Sequence, residues 1–321
     1  MTPSELEALA PKERREWLEG QFGGLRLAQL REHPVAGNFD ASHVKEVNRR
    51  IFQDMPGHGY DDVTPGVYRP SVPEGKDWIK NRGLSTQMGS FCVAYSHMDE
   101  AAIARMEKTL EDAKPDKLRG LSTEEFTAKI AKIYTELDYA HPFKDGNSRT
   151  LRAFTGQLAT ESGFEIEWER FNANEAGRDL LYIARDRSVN ALAKPHIQGE
   201  LAKLKVLETE VRVSQCRPLP DLLRDVVRPS RAVAFERMTQ RDALSAYPEL
   251  QEAYDTMRAA GAYFEAKMPG KLEAHKAAMQ AVLAQVQSRL NAGEVTALGH
   301  GRTAQDKAAR QQPAPAQERE R

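Results

Sequence analysis

Residues 141–152 read HPFKDGNSRTLR and place a histidine, a carboxylate, a glycine, an amide and two arginines on one short segment. His141 is a general-base candidate, because an unperturbed imidazole titrates near neutral pH. Asp145 offers a hard oxygen to magnesium, which binds through one or two carboxylates together with substrate phosphates. Gly146 lets a ligand approach the backbone closely. A helix starting near Asn147 would point its unpaired N–H groups and the positive end of its dipole at phosphate oxygens. Arg149 and Arg152 are three apart, hence on one face of that helix, and two guanidinium groups there suit a polyphosphate. Phe143, between two polar positions, reads as a core anchor whose burial is worth roughly 1.5–3 kcal/mol. Each residue also has a plain alternative: a histidine before proline caps helices, Asp-Gly-Asn is ordinary turn chemistry, and paired arginines are often only solvated.

The elements that position this segment follow from periodicity. Ser122 and Glu125 form a capping box, after which Phe126, Ile130, Ile133, Tyr134 and Leu137 make an apolar stripe running to residue 140. Pro142 stops that helix near His141. A second helix carries Leu151, Phe154 and Leu158 on one face and stops at Gly163, so the segment joins two helices. Upstream, residues 1–30 read as helical with a break at GQFGG, and GNFDASHVKEVNRRIF forms a helix capped by Asp40 or Ser42. Gly and Pro recur between residues 56 and 89, which marks a loop, and STQMGSFCVAY reads as a hairpin turning at Gly89. Downstream, helices cover parts of 176–212 with an interruption at Pro195. The prolines near 215–229 suggest a boundary. Two helices near 249–267 and 271–291 follow, the second with Leu272, Met279, Val282, Val286 and Leu290 at near-heptad spacing, as in a helical hairpin or a partner-binding helix. The last residues lack periodic apolar positions and read as disordered.

Composition narrows the classes. Lys and Arg number 46 against 47 Asp and Glu, which leaves no bulk charge to draw nucleic acid or a membrane surface. The start lacks an apolar leader core, and no apolar run approaches the roughly 20 residues that span a bilayer, so the expected place is a cytosol. Cys92 and Cys216 are the two cysteines, far apart in sequence, which supports neither a disulfide framework nor a zinc site. GHGYDD lacks the third glycine of a dinucleotide fingerprint, and PEGK lacks the P-loop spacing.

The segment HPFKDGNSRTLR closely resembles the Fic-family signature HPFx(D/E)GNGRxxR. GNFDASHVKEVNRRIF is similar to the family's helix before the active site, DVTPGVYRP to a stretch carrying a glycine and Tyr-Arg, and STQMGSFC to its flap, together over about residues 30–205. The resemblance implies a mostly α fold, a Fic-type helical bundle with a short β-hairpin flap, joined here to a C-terminal helical segment. The expected division is an N-terminal helical segment over 1–29, the Fic domain over 30–205, a C-terminal helical module over 215–300 and a tail over 301–321. It implies a protein adenylyltransferase, which moves AMP from ATP onto a hydroxyl of a target protein. On that reading His141 deprotonates the Ser, Thr or Tyr hydroxyl and Asp145 holds Mg2+. Gly146, Asn147, Ser148 and Arg149 bind phosphate oxygens, and Arg152 grips the γ-phosphate. The flap residues Ser85, Thr86, Gln87, Met88, Gly89, Ser90, Phe91 and Cys92 hold the target by strand-like pairing.

Two departures stand out. Ser148 occupies the signature's second glycine, which is harmless if that position is helical and strained if its φ is positive. Many Fic proteins carry an inhibitory (S/T)xxxE(G/N) motif, whereas Glu19-Gly20 and Glu74-Gly75 are preceded at the first position by Arg15 and Pro70. Any inhibitory glutamate is therefore expected in trans, from a small antitoxin-like partner docking at Arg152. Alternatives are a Fic-fold binding protein without turnover and transfer of another nucleotide or phosphate-containing group. The cytosol in which the protein acts is that of its own cell or, after delivery, that of another.

Overall fold

The computed structural model describes residues 2–86 and 89–292, in two compact units divided after Ser230. The first unit opens with helices α1 (Pro3–Ala8), α2 (Pro11–Glu32) and α3 (Ala41–Phe52), followed by a hairpin of β1 (Trp78–Gly83) and β2 (Ser90–Tyr95). Helices α4 (Glu100–Asp112), α5 (Pro115–Leu118), α6 (Thr123–Ala140) and α7 (Asn147–Glu161) come next. The unit ends with β3 (Phe164–Ile166), α8 (Glu175–Ala193), α9 (Glu200–Val213), α10 (Leu219–Leu223) and β4 (Val227–Pro229).

Helix α6 forms where the capping box predicts it. Ser122 Oγ accepts from the Glu125 N–H at 3.2 Å, and Glu125 returns a carboxylate oxygen to the Ser122 N–H at 2.9 Å. Its stripe, Phe126, Ile130, Ile133, Tyr134 and Leu137, is buried against Leu151, Phe154 and Leu158 of α7 in the main core. Asp40 caps α3 through the His43 N–H, and the α3 residues Val47, Ile51 and Phe52 pack on Leu18 and Leu30 of α2. Pro195 interrupts the chain between α8 and α9 as a short 3₁₀ turn.

Three expectations are corrected. Helix α2 runs unbroken through GQFGG, because Leu18 and Leu30 are buried on either side of the glycines and packing overrides propensity. The first unit continues to residue 230, past the expected end at 205. Here β3 pairs antiparallel with β4, with Phe164 opposite Pro229, and Leu219, Leu222, Leu223 and Val226 join the main core. Of the prolines read as a boundary, Pro218 and Pro220 begin α10, where a missing N–H costs nothing, whereas Pro229 ends β4 directly before the division between the units. Last, the extended run that begins at Trp78 lies inside the region read as loop, so the hairpin is longer than STQMGSFCVAY.

The second unit holds α11 (Ser230–Arg237) from its second residue on, then α12 (Gln240–Ala246), α13 (Gln251–Lys267) and α14 (Leu272–Asn291). Ala232, Phe235, Ala243, Leu250, Val286 and Leu290 form its core. Val282, Val286 and Leu290 pack as their spacing predicts, whereas Leu272 is exposed. The predicted tail over 301–321 lies outside the described residues. Among those described, no helix is long and apolar enough to cross a membrane.

Candidate active site

Helix α6 hands the chain to the site at His141, which caps it in the left-handed region at φ 45°, ψ 56°. Two polar side chains make that ending stable. Arg69, buried, donates to the carbonyl oxygens of His141 at 2.8 Å and Ala140 at 3.2 Å, and Ser96 Oγ donates to Ala140 at 3.0 Å. The last carbonyls of the helix are thus paired. Arg69 stacks over Trp78 at 3.9 Å, and burial lowers its guanidinium to about 10. Tyr68 bridges Phe143, which is buried in the main core as an anchor should be. The Tyr-Arg stretch therefore works as a brace for the histidine.

The loop closes on itself at Asn147. Its amide accepts from the Phe143 N–H at 2.9 Å and donates to the Phe143 carbonyl at 2.6 Å. This side chain, expected on phosphate, is spent on the loop, which leaves its backbone N–H for an anion. Gly146 precedes α7 at φ 74°, and no side chain caps the helix start. A Cβ on Gly146 would lie 1.9 Å from the Phe52 ring, so the close approach expected of this glycine is to α3 as well as to any ligand. Ser148 is the second residue of α7 and has no positive φ, which fits the harmless alternative.

His141 is buried and stacks on Tyr95, ring centroids 3.7 Å apart. Its Nδ1, fully buried and without a hydrogen-bond partner, stands 3.7 Å from an Asp138 oxygen. Asp138 in turn accepts from Arg185 Nε at 3.0 Å and Nη2 at 2.8 Å, and Arg185 Nη1 donates to Ser148 Oγ at 3.0 Å. Burial pushes the imidazole down to about 4, against the upward pull of Asp138. Burial also works against the Asp138 carboxylate, yet the Arg185 guanidinium and His141 hold it down at about 2. Neither Asp138 nor Arg185 was singled out from sequence. Asp138, three residues before His141, carried the helical spacing that puts it on the same face; Arg185 carried no signal.

The two arginines of α7 point differently. Arg149 donates through Nη2 to the Glu19 carboxylate at 2.6 Å and through Nη1 to the Glu19 carbonyl at 3.0 Å. Gly23 of α2 makes room, since a Cβ there would meet Arg149 Nη1 at 2.8 Å. Arg15 of the same helix reaches Glu19 at 3.2 Å, Asp62 at 2.8 Å and Asp145 at 3.3 Å. An inhibitory glutamate was expected in trans at Arg152; within this chain Glu19 already meets the other arginine, Arg149. The motif RxxxEG hid it because Arg15 stands where the known pattern has Ser or Thr. Arg152 donates to Asn172 at 3.0 Å, and burial lowers its guanidinium. Both arginines line a cleft of about 390 Å³ that runs down α7 past Leu30, Gln157 and Trp168, away from His141.

Of the expected flap, Ser85, Thr86 and Gly89 lie in the connection between β1 and β2, and Gln87 and Met88 lie outside the described residues. Thr86 is tied to α8, its N–H and hydroxyl both donating to Asp179. Ser90, Phe91 and Cys92 are strand residues of β2. The outer edge of that strand is taken: Thr209 Oγ accepts from the Cys92 N–H, and the Asn190 amide bridges the Ala94 N–H and the Cys92 carbonyl. The expectation that Phe91 and Cys92 pair with a target is corrected: α8 and α9 already hold the Cys92 backbone, and Phe91 pairs with Arg82 inside the hairpin. Among the described residues the unpaired edge of the hairpin is that of β1.

Residues 38–159 match the Fic/DOC family profile. The chain is 27% identical over 186 residues to the protein adenylyltransferase VbhT of Bartonella schoenbuchensis, covering 57% of this chain and 34% of that protein. It is 26% identical over 145 residues to a protein adenylyltransferase of Bartonella henselae, covering 44% of this chain and 25% of that one. The chain thus spans about a third or less of the length of these relatives. Its fold also superposes on that of BepC, a VirB-translocated effector of Bartonella tribocorum solved with bound AMPPNP, at TM-score 0.41 and 18% identity, over 71% of this chain and 89% of that one.

Proposed function

Because residues 38–159 form a Fic/DOC family domain, we propose that the chain is a protein adenylyltransferase that moves AMP from ATP onto a Ser, Thr or Tyr hydroxyl of a target protein. One observation supports this most directly: a single clamped loop joins a buried, neutral imidazole to an uncapped helix start flanked by two arginines. The N–H groups of Asn147, Ser148 and Arg149 hold phosphate oxygens at the positive end of α7. The target oxygen attacks the α-phosphorus, its proton passes to His141 Nε2, and the bond to the β-phosphate breaks to release pyrophosphate. Arg149 and Arg152 then balance charge on the leaving phosphates.

Asp145 fits magnesium held chiefly by phosphates, since it is the one carboxylate of the loop and no cluster of three metal-ligating side chains occurs among the described residues. Bound there, the ion would supply charge neutralisation on the phosphates. Arg15 would have to leave Asp145 first. Label transfer from ATP tests the reading: the purified chain in lysate should transfer label from the α-phosphate and none from the γ-phosphate. Transfer of the γ-label would assign a kinase-like reaction instead.

Glu19 fits a brake built into this chain, the role first assigned to a partner in trans. It occupies the guanidinium that the phosphates need, and Arg15 holds it there while covering Asp145. Glu19→Gln removes the charge and keeps the shape. With about 1.4 kcal/mol of competition relieved, KM for ATP should fall about tenfold in a titration of label transfer. An unchanged KM would leave Glu19 a structural contact only. The unpaired edge of β1 suits the target segment, because main-chain pairing there would supply register and little side-chain selectivity.

A further inference from the structure

We propose that Arg185 is a positioning residue for AMP transfer: bonded at once to Asp138 on α6 and Ser148 on α7, it fixes the histidine and the phosphate-binding helix start relative to each other. The inference rests on the transfer reading above.

The geometry carries it. Arg185 comes from α8 and is 2% exposed, with Asp138 wholly buried beside it. A buried ion pair is costly to desolvate and gains little stability over apolar packing, so a role in specifying geometry is the better account of one placed between two functional elements. Its contacts are directional: Nε and Nη2 donate to the Asp138 carboxylate, and Nη1 donates to the Ser148 hydroxyl at 3.0 Å. With glycine at 148, as in the family signature, Arg185 Nη1 would lose its acceptor in a buried site. Ser148 is therefore the far anchor of the bridge.

On the near side, the Asp138 carboxylate can only accept. It stands 3.7 Å from His141 Nδ1, which is buried without another partner. That places the imidazole proton on Nδ1 and leaves Nε2 as the acceptor for the target hydroxyl. Tyr95 covers one ring face, and Arg82, which donates to Tyr95 at 3.3 Å, is paired with Asp186. Lys80 of β1 and Arg185 itself are the other charged groups acting on His141, both opposing its protonation.

The test reads the two arms separately on the full chain. Nitrogen-15 spectra of the histidines at neutral pH, with His141 assigned by its loss in His141→Asn, should show the Nδ1–H tautomer in the wild type. Asp138→Asn should shift His141 toward Nε2–H and lower kcat by roughly 100-fold, leaving KM for ATP within about twofold. Ser148→Ala should raise KM for ATP about fivefold with the tautomer unchanged, because only the helix-start arm is cut. If Asp138→Asn does not fold, the neutral pair Asp138→Asn with Arg185→Gln is read the same way. Retention of Nδ1–H with wild-type kcat in the Asp138 variant overturns the inference. So does a fall in kcat and a rise in KM of the same size in both variants, as general loosening would produce. A wild type without AMP transfer overturns the transfer reading instead, and the tautomer, which needs no turnover, still decides the Arg185 geometry.

Discussion

His141→Asn lowers transfer of the α-phosphate label by roughly 10²–10⁴-fold, the usual worth of a positioned general base, while the chain stays folded. Asparagine is the informative replacement. His141 sits at φ 45°, where a residue with a Cβ pays about 1–2 kcal/mol unless, like asparagine, it tolerates the left-handed region. Either replacement loses the Tyr95 stack, and alanine would add the backbone strain to it and confuse folding with chemistry. Far-UV circular dichroism and a melting curve establish the fold, and the label assay reads the chemistry. The same base sets the pH profile. Burial holds the imidazole at about 4, below its ordinary 6.5, so its proton-accepting form persists down to that value. The acid limb of kcat/KM should lie near pH 4, with no histidine-like inflection between 6 and 7. An inflection near 6.5 that vanishes in the variant would show that the site is far wetter than its geometry.

Gly146→Ala removes both stability and nucleotide binding. At φ 74° a Cβ costs about 1–2 kcal/mol, and here it would also lie 1.9 Å from the Phe52 ring, which is itself packed on α2. Overpacking a core contact adds about 1–3 kcal/mol, and at about 2–4 °C per kcal/mol the melting point should drop by about 4–20 °C. Gly163→Ala is the matched control, since Gly163 has φ 86° and nothing within 4 Å of its added Cβ. It pays only the backbone cost. The difference between the two melting points isolates the Phe52 contact, and ATP affinity by calorimetry should fall in the Gly146 variant alone. Equal melting points would mean that α3 yields to the extra carbon.

How much of this was legible beforehand follows the range of each interaction. Helices α6 and α7, their caps and the loop between them were readable, because a capping box, an apolar stripe and Pro142 act within a few residues of one another. The candidate residues of the loop were readable for the same reason: His141, Asp145, Gly146, Arg149 and Arg152 lie on one short segment. The glycines of α2 misled, since propensity there is outweighed by burial of Leu18 and Leu30, and the prolines near 218 misled because β4 finds β3 some sixty residues earlier in the chain. The sequence by itself determined the loop and its helices, and it carried the resemblance to the Fic signature. Only the tertiary structure decided what those groups touch. It spent the Asn147 amide on the loop, brought Glu19 from α2 onto Arg149, covered β2 with α8 and α9, and set Arg185 between Asp138 and Ser148. Each of those contacts joins residues whose side chains obey no local spacing rule or choose among several partners. Their pairing follows from where the packed helices bring them within bonding distance.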